Sequence, residues 1–404
     1  MNNTIKKNLL SGVRVLDFSR VLLGAYCSMM LGDLGAEVIK VEPPFGDDTR
    51  KWGPPFIDKD STYYLSVNRN KKSISLDLKN KQSHAIAKEL ITKSDILIEN
   101  TVNNKMKDYG LDYESVQKSN PKLIYTSVSA FGDQGPLSPK PGFDLIMQAY
   151  TGLMNITGSP NGEPYKVGYP VNDILTGSHV HSAILSALLH RERTQEGQHI
   201  STSLLEVNLF AMMNITSAYL NGGLNSNRRG NDHPNISPYG IFKLNSGKYI
   251  ALGVATELQF DRLATSVLNM EINESYNQKF KTNKLRITNR EELRNIIQVH
   301  FSKIDDNSLV DLLNKYDIPN SLVNTMEDVF NQEHVKSIKL VDEVKTENYD
   351  KLKYIRHPIN YSKLKCEDLK SPPLLGENTR EVLKNLLNYS DERIDKLYAD
   401  KVIY

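Results

Sequence analysis

The stretch VRVLDFSRVLLGAYCSMMLGDLGAEVIKVE, residues 13–42, decides the fold. Its first six residues form an apolar run that reads as a buried strand. The loop SRVLLG follows, then a helix from about Ala25 to Leu34 with Gly35 as its stop. AEVIKVE (36–42) is β-branched and reads as a second strand. Strand, loop, helix and strand in so short a span make one βαβ unit. The same alternation continues outward. SISLDL (73–78) alternates as a strand, and a helix over 81–93 carries Ile86, Leu90 and Ile91. DILIEN (95–100), a short helix over 112–119 and the strand LIYTSVSAFG (123–132) complete the series. Strands alternating with helices favour a parallel sheet, so the first 150 residues predict a doubly wound α/β domain.

Further along, Ile174, Val180, Ile184, Ala187 and Leu188 recur near every 3.6 residues and predict a long helix opening at Asp173. A turn at EGQ (196–198) leads to HISTSLLEV, a strand entering another helix. Residues 221–238, NGGLNSNRRGNDHPNISP, are dense in Asn, Gly and Pro and read as a linker. GIFKLNSGKYIALGV (240–254) is a hairpin pattern with Asn245-Ser246-Gly247 as its turn. Residues 257–330 look helical, 354–363 strand-like and turning, and a last helix starts near Arg380.

Composition narrows the class. A chain of 404 residues carries a prior of roughly two to three domains. Its net charge of +2 and the lack of a basic stripe argue against a nucleic-acid partner. With 39% hydrophobic and 24% charged residues, it matches an ordinary globular protein. Cys27 and Cys366 lie far apart, as suits a reducing, cytoplasmic setting. The first residues lack the apolar core of a signal peptide, and no apolar run approaches the ~18 residues a membrane span needs.

Of the dinucleotide fingerprint G-x-G-x-x-G, the first loop holds only Gly24; Glu42 stands where a ribose-binding acid would, with a solvated strand-end acid as the plainer reading. There is no Walker loop and no G-x-S-x-G elbow. His179 and His181 are two apart on a helix and face different ways, and the cysteines have no ligand spacing, so no metal site is expected. Asp173 is the most informative acid. It stands where a Pro-containing stretch, GYPVND, meets the long helix. The plain reading is a helix cap, worth about 1 kcal/mol. The functional reading is a nucleophile kept ionised by helix N–H groups. The two do not exclude each other.

Several ordered stretches together resemble the family III CoA-transferases (the CaiB/BaiF type, a group that includes formyl-CoA transferases and acyl-CoA racemases). They are residues 12–50, NRNKKSISLDLK (68–79), DILIEN, YGLDYESVQKSNPKLIYTSVSAFGDQGP (109–136), PGFDLIMQAYTGLMNITG (141–158), DILTG (173–177), ALLHRERTQEGQHISTSLLE (187–206), the RGNDHP and PYGIF stretches within 229–242, and PPLLGENTREVL (372–383). The resemblance implies a large Rossmann-like CoA-binding domain built from both chain ends, 1–220 and 336–404. A linker and smaller inserted α+β domain would occupy 221–335. It also implies an interlocked homodimer.

The resemblance makes Asp173 the catalytic nucleophile of a CoA-transferase that passes through an aspartyl-CoA thioester. No tightly bound cofactor is implied; acyl-CoA and a small carboxylic acid are the substrates. Matching the family's contact positions points to Val21, Leu22, Leu76, Lys79, Asn100, Thr101, Val102, Lys105, Gly142, Phe143 and Asp144, with Lys79 and Lys105 as phosphate contacts. Two departures stand out. Asp108 occupies a position where members often carry an arginine, which leaves Lys105 or Lys107 to substitute. Racemases place a histidine where this chain has Phe143, so the acid/base pair needed at an α-carbon is incomplete. No run of glycines in 220–265 matches the oxalate transferases. The enzyme alternative is an acyl-CoA racemase or isomerase. The non-catalytic alternative is a CoA-binding protein in which Asp173 only caps its helix, so that Asp173→Asn lowers the melting temperature. An NAD enzyme is the weakest reading.

Overall fold

The structure, a computed structural model, describes residues 8–102, 105–346 and 348–404. Its centre is a six-stranded sheet of β1 (Arg14–Asp17), β2 (Glu37–Glu42), β3 (Lys71–Ser75), β4 (Ile96–Glu99), β5 (Ile124–Ser129) and β6 (Gln198–Ser203). The spatial order is β3-β2-β1-β4-β5-β6, and every pair is parallel. The order reverses between β1 and β4, where Val15 pairs with Val38 on one side and Ile96 on the other. Ligands of open α/β sheets bind in the crevice at the carboxyl ends of strands beside such a switch point.

The strands are apolar on both faces because helices cover both. On one face Leu16, Ile39, Ile74, Leu97 and Tyr125 pack with Ile86, Leu90, Leu383 and Ile394. These last four come from α2 (Lys81–Thr92), α5 (Thr379–Leu387) and α6 (Asp391–Ala399). On the other face Val15, Val38, Ile96, Ile98 and Ile124 meet Leu23, Cys27 and Leu31 of α1 (Leu23–Asp33) and Val180, Ile184 and Ala187 of α4 (Val171–Thr194). A short helix, α3 (Asp144–Tyr150), precedes α4.

Helices α1 and α4 approach closely at Gly177. A Cβ there would lie 2.7 Å from the Leu23 carbonyl oxygen and 3.0 Å from Tyr26 Cδ1. Alanine gains about 1 kcal/mol of helix propensity. Overpacking against a backbone carbonyl costs about 1–3 kcal/mol. Gly177→Ala is therefore expected to lower the urea midpoint, and a midpoint at or above that of the wild type would count against this packing.

The chain divides into two compact units. The first comprises the chain up to Gly152, Val167–Leu224 and Lys339–Tyr404; the second comprises Leu153–Lys166 and Asn225–Ile338. Residues 153–166 thus leave the segment in which the sequence placed them. Non-local bonds draw them away: Gly230 N donates to the Gly158 carbonyl at 2.9 Å, and Arg228 donates to the Asn155 carbonyl at 3.0 Å. The second unit holds an antiparallel sheet of β7 (Tyr239–Lys243), β8 (Tyr249–Gly253) and β9 (Asn320–Leu322), with β8 in the middle. The expected hairpin turn is present, with Gly247 at a left-handed φ of 89°. Phe242, Ile250 and Leu252 pack on Phe260, Leu293, Ile297 and Phe301.

In the first unit, β10 (Val341–Val344) pairs with β11 (Leu352–Ile355). The sequence suggested only the second of these strands. Glu42 is neither a solvated strand-end acid nor a ribose ligand. It is buried, and its two oxygens accept from Arg50 Nη2 and Nε at 2.8 and 2.9 Å and from Ser73 Oγ at 2.6 Å. Among the described residues no helix is long and apolar enough to cross a membrane, and no three His, Cys, Asp or Glu residues are grouped to hold a metal ion.

Candidate active site

Asp173 is the third residue of α4, and Pro170 stands at the cap position with no side-chain cap of its own. The cap arrives from another element. Asp144, first residue of α3, accepts from Asn172 N at 2.9 Å through Oδ1 and from Gln148 Nε2 at 2.7 Å through Oδ2. Asn172 Nδ2 donates back to the Asp144 carbonyl at 3.3 Å. Gln148 Oε1 in turn accepts from Val167 N at 2.8 Å. The capping role expected of Asp173 therefore belongs to Asp144. Each Asp144 oxygen thus already accepts one hydrogen bond from within the protein.

Asp173 itself is half-buried. Burial, with the charge of Asp144 second, pushes its carboxyl up to about 7. Burial beside a like charge thus opposes the ionisation expected from the helix N-terminus, whose dipole contributes only about 0.3–1 kcal/mol. Tyr63 stands next to it. Burial and the nearby Asp173, Asp144 and Asp47 carboxyls push its phenol up to about 12, so it remains an O–H donor. Its ring meets Trp52 edge-on at 5.4 Å. Below lies an apolar cluster of Leu22, Ala25, Met29 and Val67, with Val21, Tyr26, Tyr63 and Ile174 packed on it. Ile174 follows Asp173, so the acid stands beside the loop after β1.

That loop is fixed by side chains at almost every step. Ser19 N donates to Asp17 Oδ1 at 2.9 Å, and the Ser19 carbonyl accepts from Lys40 Nζ at 2.9 Å. Arg20 N donates to Asn100 Oδ1 and Asn100 Nδ2 to the Arg20 carbonyl, both at 2.9 Å. This pair ties the loops after β1 and β4 across the switch point. Val21 N donates to Asp47 Oδ2 at 3.2 Å. Val21 has φ of 69°, a conformation β-branched residues rarely adopt. Behind it Lys40 Nζ and Asp47 Oδ2 are 2.8 Å apart, with both side chains 0% exposed. Burial alone would raise the Asp47 carboxyl; Lys40 and hydrogen bonds from Lys40 and Thr49 hold it down to about 2.

The structure brings Val21, Leu22, Asn100 and Thr101 into the loops at the switch point. Thr101 is anchored by its N and Oγ1, which donate to the buried Glu99 at 2.7 and 2.6 Å. Val102 is exposed. Lys105 is exposed and pairs with Asp108 at 3.4 Å, and Lys79 is exposed after β3. Gly142 is half-buried and Phe143 exposed. Leu76 lies in the core, 1% exposed, and forms an antiparallel bridge with Ile403. Tyr63, the Asp144 cap and the Lys40–Asp47 pair escaped the sequence reading. A lysine inside a strand buried on both faces was the one available signal, since such a charge requires a partner.

The model of CoA-transferase family III matches residues 10–379. A succinyl-CoA:glutarate CoA-transferase of Mus musculus is 40% identical over 396 residues, spanning 98% of this chain and 90% of that protein. A succinate–glutarate CoA-transferase of Agrobacterium fabrum is 38% identical, spanning 94% of this chain and 96% of that one. The crystal structure of a CaiB/BaiF family protein from Brucella suis superposes with a TM-score of 0.83 at 34% identity, covering 93% of this chain and 99% of the other. With the family match over residues 10–379 and these relatives, the chain belongs to CoA-transferase family III. It is an acyl-CoA:carboxylate CoA-transferase, with acyl-CoA as a substrate.

Proposed function

We propose that Asp173 is the nucleophile and carries the coenzyme as an aspartyl-CoA thioester. The observation that supports this is a half-buried carboxyl at the start of α4, brought to about 7, beside the loop after β1. One Asp173 oxygen attacks the thioester carbonyl; the C–S bond breaks and its electron pair leaves as CoA thiolate. The thiolate attacks the Asp173 carbonyl of the mixed anhydride, and the donor carboxylate departs. The acceptor carboxylate attacks the aspartyl thioester and releases thiolate again. The thiolate then takes the acceptor acyl group and frees Asp173. Four easier displacements replace one difficult exchange, and no thioester energy is lost to water. The Tyr63 hydroxyl is available to the oxygen that gains charge in each addition.

In this reading succinyl-CoA is the donor and a short dicarboxylate such as glutarate the acceptor, the substrates named for the relatives. Val21, Leu22, Asn100, Thr101 and Val102 line the coenzyme path, Lys79 and Lys105 meet its phosphates, and Gly142 and Phe143 border the acyl end. The two compact units act as domains of an interlocked cytoplasmic homodimer that needs no tightly bound cofactor. Phe143 offers no acid or base, which disfavours the racemase alternative.

Donor acyl-CoA given without acceptor, followed by hydroxylamine, is expected to convert Asp173 to a hydroxamate seen by peptide mass. An unmodified Asp173 in an actively exchanging enzyme would overturn the covalent reading. Exchange of deuterium at the substrate α-carbon without any acceptor acid would favour racemase chemistry instead.

A further inference from the structure

We propose that Asp144 is a positioning residue that both aims the nucleophile and loads it with electrostatic strain, which acylation of Asp173 releases. The inference rests on the covalent reading above. The Asp144 carboxylate, the Gln148 side chain and the Asn172 backbone N–H build the device. Gln148 and Asn172 are each 0% exposed, and each gives an N–H to a different oxygen of Asp144. A buried amide committed to a carboxylate, with its own oxygen held by Val167 N, is an expensive arrangement to bury unless its geometry matters. The bond from Asn172 N fixes the backbone immediately before Asp173, so Asp144 sets where the first turn of α4 points.

The same bonds give the two acids unequal surroundings. Two donors compensate negative charge on Asp144. Asp173 instead meets burial and the Asp144 charge. The groups around it are Asp144 from α3 and Tyr63 from the helix Thr62–Val67, with Asp47 acting on the same phenol. Tyr26 of α1 belongs to the apolar cluster alongside. Ionised Asp173 is raised in energy first by burial and then by its neighbour. The anhydride and the aspartyl-CoA thioester carry no charge on that side chain, so forming them removes the repulsion. The resting carboxylate is thereby made a stronger nucleophile.

The test is the pH profile of kcat/KM for Asp144→Asn. Asparagine keeps an oxygen for Asn172 N, removes the charge, and gives up the acceptor that faces Gln148 Nε2. The acid limb is expected to move down by about one pH unit, with the Kd of free CoA unchanged by calorimetry. Gln148→Glu adds charge to the same cluster, and there the limb is expected to move up. An acid limb that stays in place in both variants, whatever their specific activity, overturns the inference, because a purely structural cap would lower activity without moving the limb. If Asp144→Asn does not fold, Gln148→Glu alone decides. Asp173→Asn is run beside them. If it is dead and the limb has not moved, only this inference fails; if it still turns over, the covalent reading fails and takes this inference with it.

Discussion

Replacing Asp173 with asparagine is expected to abolish CoA exchange and, at neutral pH, to make the protein harder to unfold. The loss should be on the order of 10⁴-fold or more, the scale seen when a covalent nucleophile is deleted. Alanine should behave alike, with CoA affinity nearly intact. The stability gain follows from proton linkage. The folded state holds the Asp173 proton more tightly than the unfolded chain does, because the carboxyl rises from 3.8 to about 7. Stability from this group is therefore fully present below pH 4 and lost as pH climbs to 7. At about 1.36 kcal/mol per pH unit the effect is capped near 4 kcal/mol. Solvent at a half-buried group reduces it to about 1–2 kcal/mol. A helix N-terminus gives back about 0.3–1 kcal/mol, so the net cost of the charge stays positive. Thermal melts should show the variant above the wild type at pH 8 and level with it near pH 4. A cap-only Asp173 predicts the opposite order at pH 8. A lower melting temperature there would mean that the carboxylate belongs to the fold and is not strained against it.

The parallel sheet was legible because βαβ units write themselves locally: apolar runs of strand length, separated by helical periodicity and glycine stops. β3 was placed two residues late, at 73–78 in place of Lys71–Ser75, because Lys71 disguised its start. That lysine is buried in contact with Asp17 at 3.3 Å, a partner 54 residues away that no local pattern contains. The hairpin strand Val341–Val344 was missed for a similar reason. VDEV is half acidic and lies exposed, so alternation gave no core face to detect. The place of Asp173 in the first turn of a long helix was legible, and the family resemblance made it the candidate nucleophile. Its environment was not. The cap comes from Asp144, 29 positions earlier, and the direction of the acidity shift depends on burial that only the packed chain creates. Leu76 shows the converse: a position matched by motif alone can be core.

The ion pair behind the loop after β1 should separate stability from function when it is dismantled in steps. Lys40→Met strands Asp47 beside the similarly buried Asp17 and Glu42, and Asp47→Leu takes from Lys40 the carboxylate at 2.8 Å, leaving only the Asp17 and Glu42 charges acting on it. Either change alone is expected to cost about 3–5 kcal/mol, the penalty for a buried charge without its partner. The double variant places apolar groups of similar volume in the same space and should recover most of that loss. It cannot recover the loop. Lys40 no longer donates to the Ser19 carbonyl, and Asp47 no longer accepts from Val21 N. A valine at φ of 69° costs roughly 1–3 kcal/mol to hold and persists only where its surroundings enforce it. Without those bonds Val21 should relax toward ordinary backbone, and the KM for acyl-CoA should rise about tenfold, the equivalent of one lost hydrogen bond's worth of loop order. Urea midpoints and KM values for the four proteins form a double-mutant cycle. Recovery of KM along with stability would show that the loop keeps its shape unaided. Recovery of stability alone means that a buried charge pair, neutral for the fold as a whole, persists here because it holds a strained backbone in the form that receives the coenzyme.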